Sequence, residues 1–190
     1  MTPRLLTSAP TARAVVAAVA VLVLAGCSSG SPDGSSTSTA PATPELASTP
    51  LDVPCATLVA ADDVLPLWPG LEPAPDAGAG AYEYPDVALV DELDGTVCRY
   101  VADGGVEITV AVAELDDASL DRVANRLVTT STAVPTYGVE GYFDLADGRG
   151  TAEAVSQPWW IVATSGSFVE PGDAEPVVGA ALTTLGTEGP

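Results

Sequence analysis

Val106-Glu107-Ile108-Thr109-Val110-Ala111-Val112-Ala113-Glu114, followed by Asp117-Ala-Ser-Leu-Asp-Arg-Val-Ala-Asn-Arg-Leu-Val-Thr-Thr130, decides the fold. In the first stretch Val106, Ile108, Val110 and Val112 alternate with Glu107, Thr109, Ala111 and Ala113, the period of two that marks a strand with one buried face. In the second, Leu120, Val123, Ala124, Leu127 and Val128 fall at helical spacing, with Asp121, Arg122, Asn125 and Arg126 on the opposite side. Working backwards, Asp103-Gly104 is a hairpin signal that joins the strand to an earlier one over Thr96 to Val101. Working forwards, strands are expected from Val139 to Leu145, Gly150 to Val155 and Trp159 to Val169, with a turn at Asp147-Gly148 and a bulge at Gly166. A last helix starts at Asp173, stacks Val178, Ala181, Leu182 and Leu185, and ends at Gly186. Cys55 to Trp68 reads as a first helix with Asp62 as a cap, and 70–95 as a long loop rich in Pro, Ala, Gly and acid. The order α-ββ-α-βββ-α points to an α+β domain, an antiparallel β-sheet with helices packed on one face.

The N-terminus has a different character. Arg4 and Arg13 precede an uninterrupted run of Ala, Val and Leu from Ala14 to Leu24. This is the layout of a secretory signal, and about 11 residues cover only about 16 Å as a helix, too little to span a bilayer. Leu24-Ala25-Gly26-Cys27 then looks like the lipobox of a bacterial lipoprotein. On that reading residues 1–26 are a signal peptide removed before Cys27. Lipid joins the sulfur, and an acyl chain such as palmitate caps the new N-terminus. At about 0.8 kcal/mol per buried methylene, two or three chains anchor a protein stably. Residues 27–50, rich in Ser, Thr, Pro and Ala, cannot bury enough surface to offset ordering entropy and read as a disordered tether with a span of roughly 25 to 30 Å. Residues 51–190 form one domain.

Composition removes most function classes. The chain has six Lys+Arg against 26 Asp+Glu and no His, a formal charge of −20. All six cations are arginines. Loss of residues 1–26 would leave four of them against the same 26 acids, a formal charge of −22. Such a surface repels nucleic acid and anionic head groups. Without His there is no Ser-His-Asp or Cys-His arrangement and no His-ligated metal. Without Lys there is no phosphate-binding P-loop lysine, Schiff base or pyridoxal attachment. After lipidation only Cys55 and Cys98 remain, too few for a Cys₄ zinc or iron–sulfur site. In an oxidising compartment these two are expected to pair, closing a loop of about 43 residues. No metal, cofactor or catalytic residue is therefore expected. Asp91-Glu92-Leu93-Asp94-Gly95 lacks the spacing of a calcium loop and reads as solvated.

Aromatic residues are few, so their places carry information. Trp159 and Trp160 are neighbours on a strand and must point to opposite faces. Tyr82 and Tyr84 lie in the long loop, and with an exposed Trp they form the candidate recognition surface. The plainer alternative is that they pin the loop onto the sheet. Arg99 and Arg149 are expected to make local ion pairs.

Val53-Pro-Cys55-Ala-Thr-Leu-Val59, Val97-Cys98-Arg99-Tyr100 and Tyr137-Gly-Val-Glu-Gly-Tyr142, together with the lipobox and the residue usage, resemble a family of small actinobacterial lipoproteins. Its members carry a Cys that starts a short helix and a second on a strand beside an aromatic residue. The resemblance covers roughly residues 50–186 and supports the Cys55–Cys98 bridge, but it implies no catalytic residue, because that family's function is unknown. Tyr142 and Phe143 stand where it usually has small residues. The expected role is a monomeric, membrane-anchored extracytoplasmic domain that binds as an accessory or sensor, touching the membrane only through Cys27 and meeting an envelope protein. The alternative is a carrier of lipid or another hydrophobic ligand, with a pocket between helices and sheet.

Overall fold

A computed structural model describes residues 45–59, 64–74, 82 and 84–186. Cys27, the signal segment and Asp62 lie outside the described residues. In chain order the elements are β1 (Ser48–Thr49), α1 (Cys55–Leu58), β2 (Glu72–Pro73), α2 (Pro85–Glu92), β3 (Thr96–Ala102), β4 (Val106–Leu115), α3 (Asp117–Thr130), β5 (Thr132–Ala133), β6 (Glu140–Ala146), β7 (Arg149–Ser156), β8 (Trp159–Ser165) and α4 (Pro171–Thr184). The strands form one antiparallel sheet in the order β2-β3-β4-β8-β7-β6-β5, and β1 pairs with the far end of β4. The class is α+β. Cys55 and Cys98 are joined, with Cα atoms 5.4 Å apart.

The helices cover both faces of this sheet, where the strand pattern implied one. Ile108, Val110 and Val112 of β4 and Ile161 and Ala163 of β8 share a core with Leu58 of α1 and with Val177, Val178 and Ala181 of α4. The alternating residues Ala111, Ala113, Trp160 and Val162 share a second core with Val87 and Val90 of α2 and Leu120, Val123 and Leu127 of α3. The cause lies in the alanines of β4. They looked like the weakly polar side of a half-exposed strand, but they are fully buried, and a small side chain lets a helix lie close against the sheet.

Two further segments depart from expectation. The stretch read as a long loop contains α2, which starts with Pro85 at a position where a missing N–H is harmless and turns Val87 and Val90 inward. Residues 45–50, assigned to the tether by composition, belong to the folded domain. Ala47 N donates to Ser119 Oγ at 2.9 Å, Ser48 Oγ donates to the Leu93 carbonyl at 2.8 Å, and β1 pairs with β4. The helix over 117–130 has the expected bounds, capped by Asp116 accepting from Ser119 N. The final helix begins two residues before Asp173, whose side chain accepts from the backbone N–H of Glu170 in a capping box. β8 stops at Ser165, so Gly166 belongs to the following turn rather than to a bulge. Asp147 and Gly148 both have positive φ and form the tight two-residue turn that fixes the β6–β7 register.

Candidate binding pocket

That register decides which side chains meet. Arg149, Thr151 and Glu153 follow one another at two-residue spacing on β7 and so share a face, and across from them on β6 stand Ala146, Asp144 and Tyr142. Tyr142 belongs to the core under α2 and α3, which identifies the face. α3 lays Arg126 and Thr130 over this row, the Ser131 that caps it follows, and the start of α2 adds Tyr84, Pro85 and Asp86. Together they enclose an open pocket of about 240 Å³.

Glu153 sits at its inner end, with a side chain only 6% exposed. Its Oε2 accepts from Trp160 Nε1 at 2.9 Å and lies 3.5 Å from Arg126 Nη2. Arg126 Nη1 donates to Asp86 Oδ1 at 2.7 Å, and its guanidinium lies over the Trp160 ring, 5.5 Å from the centroid. Burial, reinforced by the charges of Asp86 and Asp144, pushes the Glu153 carboxyl up to about 7, while Arg126 and the Trp160 hydrogen bond pull against it. A carboxyl that titrates near neutrality therefore shares one arginine with a second carboxylate. Arg126 Nη2 is itself buried and makes no hydrogen bond.

Of the two arginines expected to pair locally, Arg99 does so, 3.5 Å from Glu107. Arg149 does not. Among the described residues it has no carboxylate within ion-pair distance, and its guanidinium lies over the Tyr84 ring, 5.0 Å from the centroid. The reason is the ring: a flat cation gains from the aromatic face without an acid nearby.

The four aromatic candidates are not brought together. Trp160 is fully buried in the core under α2 and α3, and Tyr82 and Tyr84 pack against the edge of that core. Trp159 packs against the core on the other face of the sheet. Only Tyr84 lines the pocket. Sequence reading missed Arg126, Asp86, Asp144 and Glu153, because charges on a strand or an outer helix face in so acidic a chain read as a solvated surface. The usable signal was the spacing Arg149-x-Thr151-x-Glu153 beside Gly150, Ala152 and Ala154, which puts three polar side chains on one face of a strand.

A second, apolar groove of about 570 Å³ lies between the N-terminal segment, α2 and α3, lined by Leu46, Leu89, Leu93 and Val123, with Arg126 common to both cavities. Among the described residues no helix is long and apolar enough to cross a membrane, and no group of three or more acidic or Cys side chains is arranged to hold a metal. No protein-family model matches the chain, and no curated protein or solved structure matches it.

Proposed function

We propose that this protein is a non-catalytic binding domain, held at the extracytoplasmic face of the cell membrane by lipid on Cys27, and that it takes its ligand in the polar pocket between α2, α3 and the β6–β7 hairpin. The lipobox spacing and the short apolar run before it support the anchor. Glu153 carries the binding reading: it is a nearly fully buried carboxyl at the inner end of an open pocket, 3.5 Å from an arginine that it shares with Asp86. The Arg126 side chain is 39% exposed, and an ion pair open to water on one side contributes little to stability. Such a cluster fits recognition better than folding, and titratable groups shifted toward neutrality gather at functional sites. The Thr and Ser hydroxyls of the pocket have no His or Lys to activate them, which favours binding over chemistry.

Replacing Cys27→Ala is expected to move the protein from the membrane to the soluble fraction, and unchanged fractionation would sink the anchor. Native mass spectrometry of the protein drawn from its own membranes tests the pocket. A polar small-molecule adduct lost in Arg126→Gln supports it, and an adduct that survives that change counts against it. The apolar groove supports a second reading, a hydrophobe carrier. An acyl-chain adduct lost when Leu89→Trp fills the groove favours the carrier.

A further inference from the structure

We propose that the polar pocket takes a small zwitterion, a molecule of amino-acid or dipeptide size whose carboxylate is received by Arg149 and whose ammonium group is received by Asp144. This deepens the reading of the pocket as the binding site and rests on it. Both signs of charge line the cavity: two guanidinium groups and the carboxylates of Asp86, Asp144 and Glu153. Asp86 and Glu153 are engaged by Arg126. Arg149 and Asp144 remain. Asp144 stands opposite Thr151 on β6 and Arg149 opposite Ala146 on β7, so they are diagonal neighbours on one face and within reach of each other. They make no ion pair, because Arg149 is held over Tyr84 instead. The stack fixes the cation in advance and leaves the gap between the two charges to a bridging ligand, the preorganisation that favours binding.

Arg126 is already taken up: its Nη2 is buried and lies 3.5 Å from Glu153 Oε2, so among the described residues Arg149 is the lining cation without a carboxylate partner. A simple anion would meet three carboxylates, and a simple cation two arginines. A ligand carrying both charges meets a complementary group at each end. The volume agrees: about 240 Å³ is the space of about eight waters at about 30 Å³ each and falls below the about 300 Å³ at which drug-sized pockets begin.

The test is calorimetric titration of the full chain in detergent with glycine, L-glutamate and L-alanyl-L-alanine, alongside propionate, ethylammonium and inorganic phosphate. At least one zwitterion is expected to bind at least tenfold more tightly than any single-signed probe. Its affinity is expected to fall at least tenfold in Arg149→Gln and in Asp144→Asn. Among the described residues neither makes an ion pair, so the ligand-free melting midpoint of Asp144→Asn should stay within a degree or two of the parent, and that of Arg149→Gln should fall only by the few degrees its stack on Tyr84 is worth. No binding by any zwitterion, or equal affinity for propionate or phosphate, overturns the inference. A single-signed probe that binds and is lost in Arg149→Gln overturns the zwitterion while leaving the pocket as the binding site. Zwitterion binding that neither variant weakens overturns both.

Discussion

Glu153 is a side chain whose charge state the fold sets near neutrality. Its carboxyl is raised from the ordinary 4.5 to about 7, first by burial and then by Asp86, with Arg126 opposing and Asp144 adding. Below about pH 4.5 it is protonated whether the chain is folded or not, and the advantage of burying a neutral acid is fully present. Between 4.5 and 7 the folded protein keeps a proton that the unfolded chain releases, so stability falls as pH rises through that window. The full change is about 3 kcal/mol, from 1.36 kcal/mol per unit. Glu153→Gln removes the titration while keeping an acceptor for Trp160. Urea unfolding at pH 4 and pH 8 should show the variant gaining about 3 kcal/mol relative to the parent across that interval. A difference that stays constant with pH would mean that Glu153 ionises as an ordinary exposed acid. None of this was readable from the chain, where Glu153 is one of 26 acids; its burial depends on Trp160 and Tyr142, brought alongside by strand register.

Among the elements, α3 and α2 show where sequence is informative. The bounds of α3 were legible because its apolar stripe is well marked and its far side strongly polar, but Val128, which the spacing placed on that stripe, faces outward. Leu127 is fully buried while its neighbour Val128 is 64% exposed. Leu127→Ala should therefore cost about 2–5 kcal/mol and Val128→Ala less than about 0.5 kcal/mol in chemical unfolding. Similar losses at both positions would contradict the orientation of the helix. α2 was not legible, since Val87, Val90 and Leu93 are spaced among Ala, Pro and acid that average to a loop. Its place depends on the sheet beneath it rather than on its own propensity. The same holds for the second helical face: nothing local distinguishes an Ala under a helix from an Ala in water. The disulfide was legible, because compartment and cysteine count left one pairing. It ties α1 to β3, where Tyr100 Oη also donates to the Cys55 carbonyl at 2.8 Å. The double variant Cys55→Ala/Cys98→Ala frees a loop of 43 residues in the unfolded chain and should lose about 4 kcal/mol on the chain-entropy account. A loss below about 1 kcal/mol would mean that the helix docks without the bridge.

At the scale of the whole molecule, charge bears on stability and on the proposed membrane attachment. The chain carries a formal −20, and the four arginines of the domain offset little of it. Among the described residues only Arg99 and Arg126 form ion pairs, the first of them largely exposed and worth little. The remaining carboxylates repel one another across the surface, which raises the free energy of the compact state. Salt shortens the range of that repulsion, from about 30 Å at 0.01 M to about 3 Å at 1 M. The urea midpoint should therefore rise from 0.01 to 0.5 M NaCl at pH 8 with an unchanged slope, since the exposed surface is the same. A falling midpoint would mean that the few ion pairs outweigh the repulsion. The same field bears on the membrane. A domain this acidic gains nothing from anionic head groups, and the attachment proposed through lipid on Cys27 is independent of charge. The Cys27→Ala chain should fail to sediment with phosphatidylglycerol vesicles at any salt, whereas the lipidated chain should remain bound at 0.5 M NaCl. Binding of the variant at low salt would place a basic or apolar membrane surface on the domain and remove the need for an anchor.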